Sequence, residues 1–199
     1  MFFEIGDLVV HPRHGVGRIA KREIRQFEPG APREYYEIDT PGSTLWVPVD
    51  LQPSTLRKLT TKSELKRGRR LLKSPARPLN PDPRLRQADL LECLHQGTLS
   101  ARCEVVRDLT AHSQHKPLGG EAASLLRMVQ DVLSQEWAAL EDITPAQAMH
   151  EIETLLHEGR QRHEKPQSGS SHQPADSITD QSSHPRFPAA PDKPGLHSD

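Results

Sequence analysis

Residues 5–19 read IGDLVVHPRHGVGRI, and this stretch decides the fold of the first part of the chain. Its run DLVVH is β-branched and apolar, which predicts a strand. Pro12 ends that strand because proline has no backbone N–H to donate. Gly15 and Gly17 allow a positive φ or the close approach of another backbone. The stretch therefore predicts two strands joined by a structural turn at Pro12, Gly15 and Gly17.

His11 and His14 raise the alternatives of a metal site or a general base within the same stretch. A zinc site needs three or four ligands, and no nearby cysteine or paired acidic residue completes one here. A general base needs a positioned nucleophile, and the sequence suggests none. The phosphate-binding pattern GxxxxGK[ST] is absent from the chain as well. We therefore expect no enzyme activity, no catalytic residues, no metal and no cofactor.

The pattern of short strands continues to about residue 60. Runs at 17–27, 35–40 and 44–49 alternate in polarity or are rich in β-formers, and clusters of Pro, Gly and charged residues separate them. Strands this short, joined by tight turns, predict a small antiparallel β-barrel of the Tudor/SH3-like kind over residues 1–58. Closure into a barrel would remove the exposed edges of the sheet.

Helical signals replace the strand pattern after residue 60. Thr61 and Glu64 have capping-box spacing, and Asp82 followed by Pro83 is typical of an N-cap and a first helical residue. A helix from Pro83 should end at Gly97. On three-residue spacing, we expect its buried face to consist of Leu85, Ala88, Leu91 and Leu94.

Further helices are expected down to about residue 162. One should run from about Leu99 to Thr110, and another should follow the break at KPLGGE with an apolar stripe from Ala122 to Leu140. A last helix should begin at Thr144-Pro145, with Gln147 in the capping-box position. Several amphipathic helices with short connections predict a compact all-α domain over residues 59–162.

Residues 163–199 show no periodicity and almost no large apolar residues, so we expect a disordered tail there. The 18 prolines and the mean hydropathy of −0.70 agree with a partly unfolded chain. The expected fold class is α+β, with an N-terminal barrel, a helical domain and this tail.

The formal net charge of −1 conceals an uneven distribution of charge. Residues 61–120 hold 12 Lys and Arg against 6 Asp and Glu, whereas residues 121–199 hold 6 against 13. A basic middle third indicates a surface for an acidic partner, most commonly nucleic acid. A solvated helix face is the alternative.

Two observations bear on the cellular compartment. Cys93 and Cys103 fall at apolar positions of predicted helices, which indicates small core residues rather than a disulfide framework. The start of the chain lacks a signal-peptide pattern, and no apolar run reaches the roughly 18 residues of a spanning helix. We expect a cytoplasmic protein without membrane contact.

Two stretches together carry a resemblance to a known family. IGDLVVHPRHGVGRI at 5–19 and REYYEIDTPGSTLWVPVD at 33–50 resemble the RNA polymerase interaction module shared by CarD/CdnL-type bacterial transcription regulators and the transcription-repair coupling factor. LLECLHQGTLSARCEVVRDL at 90–109 and ITPAQAMHEI at 143–152 are similar, more weakly, to the helical domain of CarD proteins. Because the coupling factor is an ATP-driven translocase and this chain lacks the motor motif, the CarD type is the better match.

The resemblance implies that the barrel binds the β subunit of RNA polymerase, and we expect the protein to be a monomer. The family places a basic residue at the position of Arg25, and Trp46 and Pro48 also fall at positions that face the β lobe. The residues themselves leave alternatives open: Arg25 is also compatible with a solvated strand position, and Trp46 is equally compatible with the barrel core.

The resemblance also implies that the helical domain rests on promoter DNA at the upstream edge of the melted bubble and prolongs the open complex. Family members use a tryptophan wedge where this chain has Pro83, which leaves the direction of the effect on transcription open. A protein–protein adaptor on polymerase without DNA contact is the alternative. Arg107 is expected to pair internally. The candidate DNA contacts are Pro83, Arg84, Arg86, Lys66, Arg67, Arg69 and Arg70.

Overall fold

The computed structural model describes residues 3–27, 31–51 and 56–164, which belong to one compact unit spanning residues 1–166. The first part of this unit is a sheet of five strands and the second part is helical, which confirms the expected α+β class. The strands are β1 (Leu8–His11), β2 (Gly15–Arg25), β3 (Arg33–Thr40), β4 (Ser43–Pro48) and β5 (Arg57–Lys58), with a 3-10 turn at Val49–Leu51.

The sheet is open, so the expectation of a closed barrel was wrong. The strand order is β4-β3-β2-β1-β5 with antiparallel pairing, and in the described ranges β4 and β5 are not paired with each other. β5 is only two residues long and pairs with Val9 and Val10 of β1, which leaves little backbone for closure. A bulge at Ala20 shifts the register of β2, and such a bulge bends a strand.

The opening stretch forms β1, a turn at residues 12–14 and the start of β2. Gly15 has φ +77°, a conformation that strains residues with a Cβ. Gly17 meets a different demand, because a Cβ there would lie 2.5 Å from the Ile38 side chain of the neighbouring strand. Both glycines are therefore required, one for its φ and the other for space.

His11 takes part in this turn through its ring. Its Nδ1 accepts hydrogen bonds from the backbone N–H groups of Arg13 and His14, both at 3.2 Å. Burial, together with the neighbouring His14 and Arg13, lowers the pKa of His11 to about 4, which favours the neutral imidazole. In the described part of the chain, no group of three or more His, Cys, Asp or Glu is placed to hold a metal ion.

Within the described residues five helices follow the sheet, and their start signals agree with the sequence. The capping boxes at Thr61 and Thr144 form as predicted, and Pro83 is the first residue of its helix. None of the described helices is both long and apolar enough to cross a membrane. The helices are α1 (Lys62–Leu72), α2 (Pro83–His95), α3 (Leu99–His115), α4 (Gly120–Glu141) and α5 (Pro145–Glu164).

Two helix boundaries differ from expectation. α3 continues to His115 instead of ending near Thr110, because no breaker occurs before Pro117. α5 reaches Glu164, so the first two residues of the expected tail are helical. The remainder of that expected tail, 165–199, lies outside the described residues.

The buried face of α2 was predicted wrongly. Leu85 is 56% exposed and Leu91 is 44% exposed, whereas Leu90 is only 5% exposed. Leu90 and Leu94 are four residues apart and pack against the helical core, and this leaves Leu85, Ala88 and Leu91 of the expected row exposed to solvent. The helix thus keeps an exposed apolar row that the expected packing would have covered.

The helical core is built around Trp137 of α4, whose side chain is fully buried. Gly68 brings α1 close to α3, since a Cβ on it would lie 2.7 Å from Leu99. Cys103 is buried in this core, and Cys93 is half-buried against it. Both are free thiols on helices, so they are the small packing residues that the sequence predicted.

The turn between β1 and β2 packs directly on helix α4. The backbone N–H of Val16 donates to Gln135 Oε1 at 3.2 Å, and a Cβ on Gly15 would overlap the same oxygen. The hydrogen bond spans 119 residues of sequence. It fixes the sheet against the helical part through a position where only glycine fits.

Gly15→Ala should lower the free energy of unfolding by about 2–3 kcal/mol, because it adds backbone strain and displaces Gln135. Gly6→Ala is the matched control, since Gly6 also has positive φ but has no atom within 4 Å of its added Cβ. Urea denaturation should show a smaller loss for Gly6→Ala. Equal losses for the two variants would contradict the proposed steric contact with Gln135.

Candidate functional site

One face of the sheet carries a group of partly exposed aromatic and basic side chains. Residues two apart in a strand point to the same face, and the register pairs Tyr35 with Pro48 and sets Trp46 two residues back along β4. Arg25 at the end of β2 and Phe27, two residues after it, extend this face. We call the group Arg25, Phe27, Tyr35, Trp46 and Pro48 the aromatic face.

The side chains of the aromatic face contact one another. The ring centre of Phe27 lies 4.9 Å from that of Tyr35, edge to face, and 5.7 Å from that of Trp46. The Arg25 guanidinium lies over the Trp46 ring, 4.2 Å from its centroid, and pairs with Glu23 at 2.6 Å. These contacts hold the group in place before any partner arrives, which reduces the entropy cost of binding.

The structure places the predicted residues Arg25, Trp46 and Pro48 together. Trp46 is half-buried and lies outside the buried core of the sheet, unlike the core position considered for it. Phe27 and Tyr35 were missed, although Phe27 ends the alternating run 17–27 and Tyr35 opens the next. Phe27 is 52% exposed, and large exposed aromatic groups beside an arginine are typical of protein-binding surfaces.

Helix α1 presents basic side chains to solvent. Five of its 11 residues are Lys or Arg and only one is acidic. The predicted contacts Lys66, Arg67 and Arg70 are exposed, and none of the three has a carboxylate partner among the described residues. They form a positive surface that can attract phosphate groups.

Arg69 of the same helix is placed differently. Its guanidinium forms salt bridges with Glu151 at 2.7 Å and Glu141 at 3.2 Å, and it lies 5.2 Å from the Trp137 ring centroid. Two carboxylates already balance its charge. Lys66, Arg67 and Arg70 are therefore better placed than Arg69 to contact nucleic acid from α1.

The beginning of α2 holds the other predicted contacts. Asp82 caps the helix, with Oδ1 accepting from the backbone N–H of Arg84 at 2.7 Å and of Leu85 at 3.2 Å. Pro83 and Arg84 are exposed at this end. Arg86 is half-buried and donates to a carbonyl of the preceding loop at 3.0 Å. Arg84 is consequently better placed than Arg86 to reach a partner from the start of α2.

Arg107 pairs internally, as expected. Its Nε donates to Asp108 Oδ1 at 2.7 Å, and its Nη1 donates to Ser74 Oγ at 2.7 Å. Asp108 Oδ1 also accepts from the backbone N–H of Arg77 at 2.9 Å. This buried pair links α3 to the irregular segment between α1 and α2. That segment leads into the exposed start of α2.

A buried ionic cluster joins the sheet to the helices, and sequence reasoning missed it. Glu136 of α4 is fully buried and accepts from both terminal nitrogens of Arg57 in β5, at 2.5 and 2.6 Å. Arg102 of α3 reaches the same carboxylate at 3.4 Å. Arg57 Nε also donates to the carbonyl of Gly97, just after α2. We call Arg57, Arg102 and Glu136 the junction cluster.

The chain matches two family profiles. One is described as the CarD-like/TRCF RID domain and matches residues 3–60. The other is described as the CarD C-terminal domain and matches residues 69–153. Together the matches cover more than half of the 199 residues. The first contains the aromatic face, and the second contains the end of α1, all of α2, α3 and α4, and the start of α5.

Proposed function

The chain belongs to the CarD family of RNA polymerase-interacting transcription regulators, and on that premise we propose that it modulates the stability of promoter open complexes. The aromatic face would bind the β subunit of the polymerase. The helical part would contact DNA at the upstream edge of the melted region. The protein would act as a cytoplasmic monomer without catalysis, held near the nucleoid by the polymerase.

The aromatic face is the observation that carries this proposal. Its aromatic rings and Arg25 are partly exposed, already packed together, and located within the part of the chain that matches the polymerase-interaction profile. Tyr, Trp and Arg are the residue types that most often dominate binding energy at protein interfaces. On binding, an acidic group of the partner would replace Glu23 in the salt bridge with Arg25.

The DNA contact rests on Arg84 and on the exposed basic residues of α1. A protein that favours the open complex shifts its equilibrium only by the difference between its affinities for the open and closed states. Each 1.4 kcal/mol of that difference changes the ratio of open to closed complexes about tenfold. A few phosphate contacts are therefore sufficient, and no chemical step is required.

The direct test is the lifetime of a promoter open complex after competitor challenge, measured with and without the full chain. A lifetime that depends on the protein supports the proposal. An unchanged lifetime, in a reaction where the protein is shown to be bound to the polymerase, favours the adaptor instead.

The adaptor alternative has one specific observation in its favour. Pro83 is the capped first residue of α2, which is an ordinary structural position for proline. A tryptophan wedge is absent from this position, so intercalation at a base step is not supplied here by an aromatic ring. An adaptor would bind polymerase through the aromatic face and leave DNA untouched.

Arg84→Glu should reduce the effect on open-complex lifetime if DNA is contacted. The protein-dependent change in lifetime can be plotted against salt concentration with both on logarithmic scales. The magnitude of the slope should fall by about 1 for each phosphate that the variant no longer neutralises. Arg127→Glu on α4 is the control, because Arg127 is an exposed arginine outside both candidate surfaces. Equal behaviour of the two variants would exclude Arg84 as a DNA contact.

A further inference from the structure

The junction cluster is unbalanced in charge. Two guanidinium groups share the single carboxylate of Glu136, and Arg57 takes both of its oxygens at short distance. Arg102 keeps one longer contact of 3.4 Å, and its guanidinium has no other hydrogen-bond partner among the described residues. A net positive charge therefore remains at the junction, on a side chain that is only 5% exposed.

Arg102 lies at the inner end of a cleft between the β1–β2 turn and helices α2 and α4. The cleft has a volume of about 520 Å³, within the range of about 300–1,000 Å³ that is typical of small-ligand sites. Arg13 and His95 lie at its entrance, where both are exposed. Its apolar wall is formed by Leu91, Leu94, Met128 and Val129.

We propose that this cleft binds a small amphipathic anion, with a carboxylate or phosphate headgroup on Arg102 and an aliphatic chain along the apolar wall. Guanidinium donates paired hydrogen bonds in a geometry that matches both headgroups. Burial and the nearby Arg57 lower the pKa of Arg102 to about 10, so the group is still charged at neutral pH. The anion would balance a buried charge that is otherwise costly.

The aliphatic part of the ligand has a matching observation. Leu91 is 44% exposed although it forms part of the apolar wall, and the packing of α2 leaves it uncovered. A hydrocarbon chain in the cleft would remove this surface from water, which is favourable for apolar area in general. Arg13 at the entrance adds a positive charge on the approach path of an anion. The site is separate from the aromatic face and does not depend on the proposed function.

Isothermal titration calorimetry of the full chain can test this site with decanoate, decyl phosphate and the neutral analogue decanol. We expect saturable binding of at least one anion at one per chain, and the tighter of the two identifies the preferred headgroup. Decanol should bind about tenfold more weakly or worse, because it lacks the charge that Arg102 recognises. The proposal is overturned if neither anion saturates or if decanol binds as tightly as the anions.

A pair of variants on one helix locates the site without disturbing the junction cluster. Leu91→Glu puts a carboxylate in the cleft and should weaken anion binding about tenfold or more. Leu85→Glu is the matched control, since Leu85 is another exposed leucine of α2 that does not line the cleft. Binding by Leu85→Glu should equal that of the parent chain. If the two variants bind the anion equally well, the cleft is not the site.

Discussion

Glu136→Gln should lower the free energy of unfolding by about 3–5 kcal/mol, the usual cost of removing one partner from a buried ion pair. The substitution keeps the shape of the side chain and removes the only carboxylate of the junction cluster. Arg57 and Arg102 would then be held near each other without a counter-charge. Urea denaturation followed by circular dichroism measures the loss directly.

Two further variants separate charge from shape. Glu153→Gln removes an exposed carboxylate on α5 and should change stability by less than about 0.5 kcal/mol. Adding Arg102→Met to Glu136→Gln should recover part of the lost stability, because one uncompensated cation then disappears. A Glu136→Gln protein within about 1 kcal/mol of the parent would show that the cluster does not stabilise the junction.

Trp46→Ala should weaken binding to RNA polymerase by about 2–4 kcal/mol, the range of a hot-spot residue. That loss corresponds to a rise in Kd of about 30- to 1,000-fold. Trp46 contacts both Phe27 and Arg25, so its removal also takes away part of the packing surface of those two side chains. Biolayer interferometry with immobilised core polymerase gives the Kd of the parent and variant chains.

Ile24→Ala is the matched control for this measurement. Ile24 is 71% exposed, more than Phe27, and lies between Glu23 and Arg25, so its side chain points to the opposite side of the sheet. Its Kd should stay within about threefold of the parent. If Trp46→Ala binds as tightly as Ile24→Ala, the aromatic face is not part of the interface. Repeating the measurement with the isolated β lobe tests whether the β subunit is the one bound.

Local signals in the sequence predicted local structure well. The capping boxes at Thr61 and Thr144, the cap at Asp82 and the turn at Gly15 all depend on residues within a few positions of one another. Each needs only the chemistry of its own segment. These features located the first turn of the sheet, the helix starts and the exposed beginning of α2.

The sequence patterns did not predict contacts between distant segments of the chain. Arg57 and Glu136 are 79 residues apart, and Arg102 and Glu136 are 34 apart. Each charge taken alone resembles an ordinary solvated residue, so nothing local indicates burial. The buried face of α2 was predicted wrongly for a similar reason. Its leucines at three- and four-residue spacing form two possible apolar rows, and only the tertiary packing selects one of them.

The hydrogen bond from Arg57 to the carbonyl of Gly97 makes α2 a spacer of fixed length that is anchored at one end. It fixes the final end of that helix to the sheet, and 13 helical residues at about 1.5 Å each carry Arg84 roughly 20 Å away. A single residue inserted in the helix would swing Arg84 by about 100° around the axis. In the proposed function, the number of residues in α2 therefore sets the distance between the sheet and the candidate DNA contact Arg84.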